Sequence, residues 1–189
     1  KEYFEAPGEA AFYAPKLDFM TKDSLGREWQ VATIQLDINM PERFDLYCIN
    51  EQGKQERIVM VHAAIMGSIE RFVSVLIEHY TGAFPVWLSP VQAVVVPISD
   101  KFNDYAKKVE ETMREAGVRV ELDNRSESVG KKIREAEMQK TPYILIVGEK
   151  EEKAKTIAVR QRGKGDLGPQ KVEKFIEKIR EEIKEKKSF

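Results

Sequence analysis

Residues 61–78 read VHAAIMGSIERFVSVLIE, and the order of residue types in them frames the first half of the chain. One of two histidines, His62, precedes a small-residue step through Ala63, Ala64, Gly67 and Ser68, then Glu70, Arg71 and an apolar run. Residues 67–80 carry apolar side chains at helical spacing and Gly82 follows as a C-terminal cap, so a helix is expected there. An arginine at the start of a buried helix is costly unless an anion meets it. Arg71 is therefore a candidate phosphate-facing residue, and His62 a candidate metal ligand. On this stretch alone the plainer reading is favoured: a buried amphipathic helix with a satisfied core histidine.

Upstream, residues 27–40 read REWQVATIQLDINM and alternate strictly from Val31 onward. Ala32, Ile34, Leu36 and Ile38 share one face of a strand, and Thr33, Gln35 and Asp37 the other. The polar face is either solvated or the floor of a polar pocket; periodicity by itself favours the solvated face. Gln30 has the opposite parity and joins that face only across a bulge or twist. Residues 44–50 and 57–62 are expected as two further strands joined by a turn at 51–54, which makes an antiparallel meander. Residues 11–20 read as an extended segment interrupted by Pro15, and 22–26 as a turn.

The stretch AFPVWLSP (residues 83–90) has two prolines and no period, and places a domain boundary there, giving domains 1–89 and 90–189. Beyond it the rhythm changes. Residues 92–98 and 143–147 are apolar runs expected as strands covered on both faces. Helices are expected over 100–116 and 128–140, strands over 118–122 and 155–161, a Gly-rich loop over 162–168, and a last helix over 169–186 with Pro169 in its first turn. The order βαβαββα implies a mostly parallel sheet flanked by helices, with ligands near the C-terminal strand ends at 123–127 and 149–152. The fold class is thus α/β: an α+β domain with antiparallel strands, then an α/β domain with a mixed, mostly parallel sheet.

With 42% hydrophobic and 33% charged residues, the 189-residue chain is globular rather than disordered. Residues 1–89 carry 8 Lys and Arg against 13 Asp and Glu, and residues 90–189 carry 23 against 19. The basic excess of the second half is small, and much of it sits in a Lys/Glu-rich tail that reads as a solvated helix face. A single cysteine, Cys48, allows no internal disulfide and no Cys-rich zinc module, and fits a reducing cytosol. No apolar run is long enough to span a bilayer, and residues 1–9 lack the apolar core of a signal peptide. A cytoplasmic protein without membrane contact, beginning inside a longer polypeptide, is the expectation.

Several motifs together resemble the C-terminal portion of bacterial-type threonyl-tRNA synthetases. They are GEAAFYAPK at 8–16, WQVATIQLD at 29–37, HAAIMGSIERF at 62–72 and FPVWLSPVQ at 84–92. The second half adds DNRSE at 123–127, GKKIRE at 130–135, Pro142-Tyr143 and AVR at 158–160. The resemblance covers nearly the whole chain. It implies a class II ligase that activates threonine with ATP and Mg2+ and transfers it to tRNA(Thr) in protein biosynthesis, here as the end of the catalytic core with motif 3 plus the anticodon-binding domain. Motifs 1 and 2 are not in this stretch, so the chain alone is expected to be inactive.

The resemblance also implies residue roles. Arg71 occupies the motif 3 arginine position, which meets ATP; a guanidinium suits phosphate because it is planar and permanently charged. Gln30, Thr33 and Ser68 match nucleotide-lining positions, with Arg71, Gln30 and Thr33 as the catalytic set. Tyr13, Lys16, Gln35 and Asp37 match the threonine side of the pocket. His62 matches one of three zinc ligands, a zinc that would select the threonine hydroxyl against valine. The other two ligands lie upstream in the family and are not matched by Cys48 or His79, so zinc is expected to be weak or absent in this chain. Ala63 stands where the family usually has Arg. Ser126, Glu151 and Arg160 match anticodon-reading positions, Ser126 replacing a frequent Asn. A homodimer is implied for the full enzyme. Two alternatives stand beside this reading: a non-catalytic tRNA-binding module built from synthetase parts, and a class II synthetase of prolyl, histidyl or glycyl type. His62 and the AFYxPK segment favour threonine.

Overall fold

The computed structural model describes residues 3–187, which divide into two compact units after His79. In the first unit the elements are β1 (Lys16–Lys22), β2 (Glu28–Asp37), α1 (Asn39–Arg43), β3 (Tyr47–Ile49), β4 (Gln55–Arg57), β5 (Met60–Ala64) and α2 (Ile69–Tyr80), whose last residue enters the second unit. β1, β2 and β5 make an antiparallel sheet with β2 in the middle. The β1–β2 turn is tied by one carboxylate. Asp23 accepts from the backbone N–H of Leu25 and Arg27 at 2.9 Å each, from Arg27 Nε at 2.6 Å and from the Trp29 indole at 2.8 Å.

The expected meander is not what forms. The turn at 50–54 closes a separate two-stranded ladder, β3 with β4, and the strand expected over 57–62 breaks at residues 58–59. Its second part, β5, pairs with β2 instead, setting His62 opposite Gln35. The reason lies in Arg57, whose guanidinium binds Pro41 O at 3.1 Å and Asp45 Oδ1 at 2.9 Å and anchors β4 beside α1. Two further expectations are corrected. Helix α2 contains no buried residue, and Arg71 is exposed. The polar face of β2 is also the less exposed one: Asp37 is 3% exposed, whereas Ile34, Leu36 and Ile38 are 42%, 40% and 58% exposed. Alternation tells which residues share a face, not which face is covered.

The second unit contains β6 (Ala93–Pro97), a 3-10 turn (Asp100–Phe102), α3 (Asn103–Glu115), β7 (Val120–Leu122), α4 (Val129–Met138), β8 (Tyr143–Val147), α5 (Glu149–Ala154), β9 (Thr156–Gln161), β10 (Gly165–Lys171) and α6 (Val172–Lys184). The sheet order is β10-β9-β8-β6-β7; β7, β6 and β8 run parallel, and β9 and β10 antiparallel. One face packs Val95, Leu145, Ile157 and Val159 against Met113 of α3 and Phe175 and Ile179 of α6. The other packs Val94, Val96 and Ile144 against Ala136 of α4. Fully buried Tyr143 meets Phe175 edge-on at 5.1 Å and donates its hydroxyl to Glu182 at 2.9 Å.

Two elements here differ from expectation. The Gly-rich loop is a hairpin turn into β10, and Pro169 lies in that strand, not in a helix. Gly163 and Gly165 sit at φ +77° and +76°, which a turn requires, and a bulge between Asp166 and Pro169 absorbs Gly168. Proline is tolerated because β10 is an edge strand and owes no N–H to a further neighbour. The short helix α5 was not anticipated: its sequence, EKEEKA, has no apolar period.

Residues 83–90 are held by side chains rather than by secondary structure. Fully buried Gln92 donates to Val86 O at 2.8 Å and accepts from Arg119 N at 2.9 Å. The Arg119 guanidinium grips Trp87 O and Ser89 O, each at 2.9 Å, and Arg162 grips Ala83 O at 3.0 Å and Phe84 O at 2.5 Å. No helix among the described residues is long and apolar enough to cross a membrane.

Candidate functional site

The polar face of β2 carries an organised cluster, and a bulge builds it. In the β1–β2 ladder Phe19 faces Ala32 and the next residue, Met20, faces Gln30; Val31 has no partner on β1. This extra residue resets the parity, so Gln30 and Thr33 reach the same acceptor. Asp18 Oδ1 accepts from Gln30 Nε2 at 2.9 Å and Thr33 Oγ1 at 2.6 Å, and its Oδ2 lies 2.6 Å from Lys16 Nζ. Three of the singled-out side chains thus converge on one carboxylate that sequence reading passed over. The register sets a second row across all three strands: Lys16 opposite Gln35, and Gln35 opposite His62. Directly opposed residues share a face, so Lys16, Gln35 and His62 line one polar surface.

Asp37 ends this surface. Its Oδ1 accepts the backbone N–H of Asn39 and Met40 at 2.9 Å each, starting α1, and its Oδ2 lies 2.8 Å from His62 Nε2. One imidazole nitrogen is therefore engaged, with the other left to a ligand; a carboxylate behind an imidazole is the usual support of a metal-binding histidine. Among the described residues, however, no group of three or more His, Cys, Asp or Glu could hold a metal ion. One imidazole does not make the three-ligand centre that a substrate-binding zinc needs. The residues present do not fit such a centre on their own.

The start of α2 abuts the bulge. Met66 and Gly67 are both left-handed, at φ +68° and +55°, and a Cβ on Gly67 would lie 3.5 Å from the carbonyl oxygens of Gln30 and Val31. Ser68 donates to Glu70 at 2.7 Å. Arg71 Cζ lies 5.3 Å from the centroid of the Trp29 ring, and Arg27 Cζ 5.6 Å from it. Among the described residues the partner of Arg71 is thus an aromatic face next in sequence to Gln30, not an anion, and its guanidinium edge is left to bind one. Tyr13 stands apart from the cluster, packed edge-on against Phe12 at 5.0 Å.

The three aspartates set the acid limit of this unit. Asp23 is held far below the ordinary carboxylate range by the Trp29 indole and then by Arg27. Asp18 is lowered by Lys16 and then by Thr33, and Asp37 by the Met40 amide and then by His62. Each is more acidic folded than unfolded, so its stabilisation is complete above about pH 4 and is lost as pH falls through the depressed folded values. Protection of β2 amides against hydrogen exchange is expected to rise as pH climbs from about 2 to about 4 and to level off above that. Protection independent of pH, after correction for intrinsic exchange, would contradict this.

In the second unit the three singled-out residues are on separate elements. Ser126 is exposed in the loop after β7. Glu151 caps α5, accepting from Gly148 N at 3.0 Å. Arg160 lies on β9 with Nη2 3.5 Å from Glu137 of α4, and its buried Nε has no hydrogen-bond partner among the described residues.

Comparison with known proteins agrees with this geometry. A family described as tRNA synthetase class II core domain (G, H, P, S and T) matches residues 4–80, and one described as anticodon binding domain matches 92–182. The threonine–tRNA ligase of Clostridium botulinum (strain Langeland) is 57% identical over 186 residues, which are 98% of this chain and 29% of that protein. The ligase of Acetivibrio thermocellus is 54% identical over 96% of this chain and 28% of its own length. The crystal structure of the RNA binding domain of threonyl-tRNA synthetase from Cryptosporidium parvum Iowa II has a TM-score of 0.82 and 39% identity, over 92% of this chain and 44% of that one. The chain belongs to the threonyl-tRNA synthetase family.

As a threonyl-tRNA synthetase sequence the chain spans about 29% of the length of such curated relatives. The mixed α/β architecture agrees with the family. Sequence reading missed Asp18, Asp23 and Trp29. For Asp18 a signal existed: it sits two residues after Lys16 in a strand, on the same face. For Trp29 and Arg71 there was none, since a cation over a ring joins residues 42 positions apart.

Proposed function

We propose that residues 1–79 supply one wall of a threonyl-adenylate pocket and residues 80–189 the anticodon-reading part of a threonine–tRNA ligase. The observation that carries this is the convergence of Lys16, Gln30 and Thr33 on Asp18 through the Val31 bulge, next to the start of α2. In the reaction, a threonine carboxylate oxygen attacks the α-phosphorus of ATP and pyrophosphate leaves; a ribose hydroxyl of tRNA(Thr) then attacks the acyl carbon and AMP leaves. Mg2+ enters with ATP as part of that substrate. The planar guanidinium of Arg71 suits the phosphates. Gly67 lets the nucleotide approach the backbone, and Gln30 and Thr33, oriented by Asp18, offer fixed polar atoms. Lys16, Gln35 and Asp37 belong to the threonine side, with Tyr13 closing on it when substrate is present. His62 contributes one ligand toward zinc, so this chain alone binds zinc weakly. In the second unit Ser126, Glu151 and Arg160 read anticodon bases. Homodimerisation and a cytoplasmic location belong to the same reading.

The 189-residue chain is expected to bind tRNA(Thr) and to show no threonine-dependent ATP–pyrophosphate exchange. Exchange by the chain alone would sink the division of labour; absence of tRNA binding would sink the anticodon assignment. A tRNA-binding module with no catalytic partner predicts the same binding but leaves the Asp18 cluster without a use.

A further inference from the structure

Two guanidinium groups lie over the Trp29 ring, Arg71 with Cζ 5.3 Å from its centroid and Arg27 with Cζ 5.6 Å from it. Their surroundings differ. Arg27 meets the Asp23 carboxylate at 2.6 Å and Glu78 of α2 at 3.9 Å. Among the described residues the Arg71 side chain has no ion pair and no hydrogen bond, and the ring is its one specific contact. The carboxylate next to it in sequence, Glu70, is taken by the Ser68 hydroxyl at 2.7 Å. Arg27 is thus neutralised within the fold, whereas Arg71 is held by a ring face and left without an anion.

The ring is itself fixed. Asp23 is buried, and its Oδ2 accepts the indole N–H at 2.8 Å, which sets the rotation of the ring. Helix α2 is tied to the same turn. Glu78 stands seven residues beyond Arg71, two turns along one side of the helix, and accepts from Ser24 Oγ at 3.1 Å. The β1–β2 turn therefore grips α2 at two points, through Glu78 and through the ring under Arg71. Just before the helix, a Cβ on Gly67 would lie 3.5 Å from the backbone of Gln30 and Val31, which keeps the first turn of α2 beside the bulge. An exposed arginine on a flexible stem loses rotamer freedom when a ligand orders it. A guanidinium already ordered by a ring spares the ligand that loss.

We propose that Trp29 is a positioning residue for nucleotide binding: its ring face holds the Arg71 guanidinium in place, and Asp23 holds the ring. The proposal rests on the reading of Arg71 as a phosphate-facing residue and adds the two side chains that order it. Trp29 acts through Arg71 and does not itself meet the nucleotide.

The test follows the Arg71 Nε–H resonance of the whole chain by NMR, with ATP and Mg2+ as the probe. In the unaltered chain that proton is expected upfield of its random-coil position, shifted by the ring current, and ATP moves it. A random-coil position overturns the proposal without any variant. Trp29→Leu is expected to bring the proton to the random-coil position and to weaken ATP binding about tenfold. Trp29→Phe keeps a ring face and loses the indole N–H, and should recover most of the affinity. Equal weakening by both variants overturns the proposal, since the hydrogen bond to Asp23 is then what matters. In an Arg71→Ala background Trp29→Leu should weaken binding no further; an added loss shows the ring acting other than through Arg71 and overturns the proposal too. So does a loss that accompanies faster hydrogen exchange across β2, which marks a damaged sheet. Unaltered affinity in Trp29→Leu beside weakened Arg71→Ala overturns this proposal and leaves the phosphate reading standing. If ATP leaves the Arg71 resonance of the unaltered chain unmoved, or Arg71→Ala binds as tightly, the phosphate reading falls first and this one with it.

Discussion

Asp18→Ala is expected to cut adenylate formation by about a hundredfold or more. The measurement is threonine-dependent ATP–pyrophosphate exchange in the Clostridium botulinum ligase carrying this chain in place of its own matching segment. The argument runs through three side chains at once. Gln30 and Thr33 share Asp18 Oδ1, and Lys16 holds Oδ2. Without the carboxylate, the amide and the hydroxyl rotate freely and the ammonium turns to solvent. Losses of orientation of this kind, of the order of an ångström, cost about two powers of ten in rate. Asp18→Asn is expected to fall less far: its one oxygen can still accept from both Gln30 and Thr33, but its NH2 then faces the Lys16 ammonium and the ion pair is gone. The β1–β2 ladder is a backbone structure and should persist, so hydrogen exchange in β2 serves as the control. A loss below tenfold in Asp18→Ala would show that the cluster does not position substrate.

Phe175→Ala should remove about 4 kcal/mol from the stability of residues 80–189. Phe175 is fully buried, packs edge-on against fully buried Tyr143 at 5.1 Å, and lies in the same core cluster as Ile179, Leu145 and Val159. The truncation loses the transfer of the ring and leaves a void beside Tyr143, whose hydroxyl is tethered to Glu182 and resists collapsing into it. Burial already pushes the Tyr143 phenol upward, so it stays neutral through the whole working pH range. Native-state exchange at Leu145 and Val159 reads the effect. A change under about 1 kcal/mol would mean that α6 contributes little to this core.

What the sequence disclosed follows from how strongly each element is marked. YILIV at 143–147 was legible to the residue, because a five-residue apolar run between Pro142 and Gly148 is too short for a helix. The α4 start was legible from Ser128, which caps it. β10 was hidden because two glycines and a proline mimic a loop, and only its edge position makes them acceptable. α5 was hidden because a short surface helix needs no apolar stripe. In the site, identity of residue types was readable at Gln30, Thr33 and His62, but not their partners. Hydrogen bonds to Asp18 and Asp37 depend on register, and register depends on one residue that has no match in the ladder.

That residue, Val31, sets two kinds of fitness against each other. Deleting it would give β1 and β2 an unbroken ladder and a more regular sheet, yet it would swing Gln30 to the opposite side and leave Asp18 with one donor fewer. A sequence selected only for the strength of its hairpin would not contain Val31. Its presence marks the strand as shaped for what it holds, and places the variant most damaging to use among those most innocent to folding.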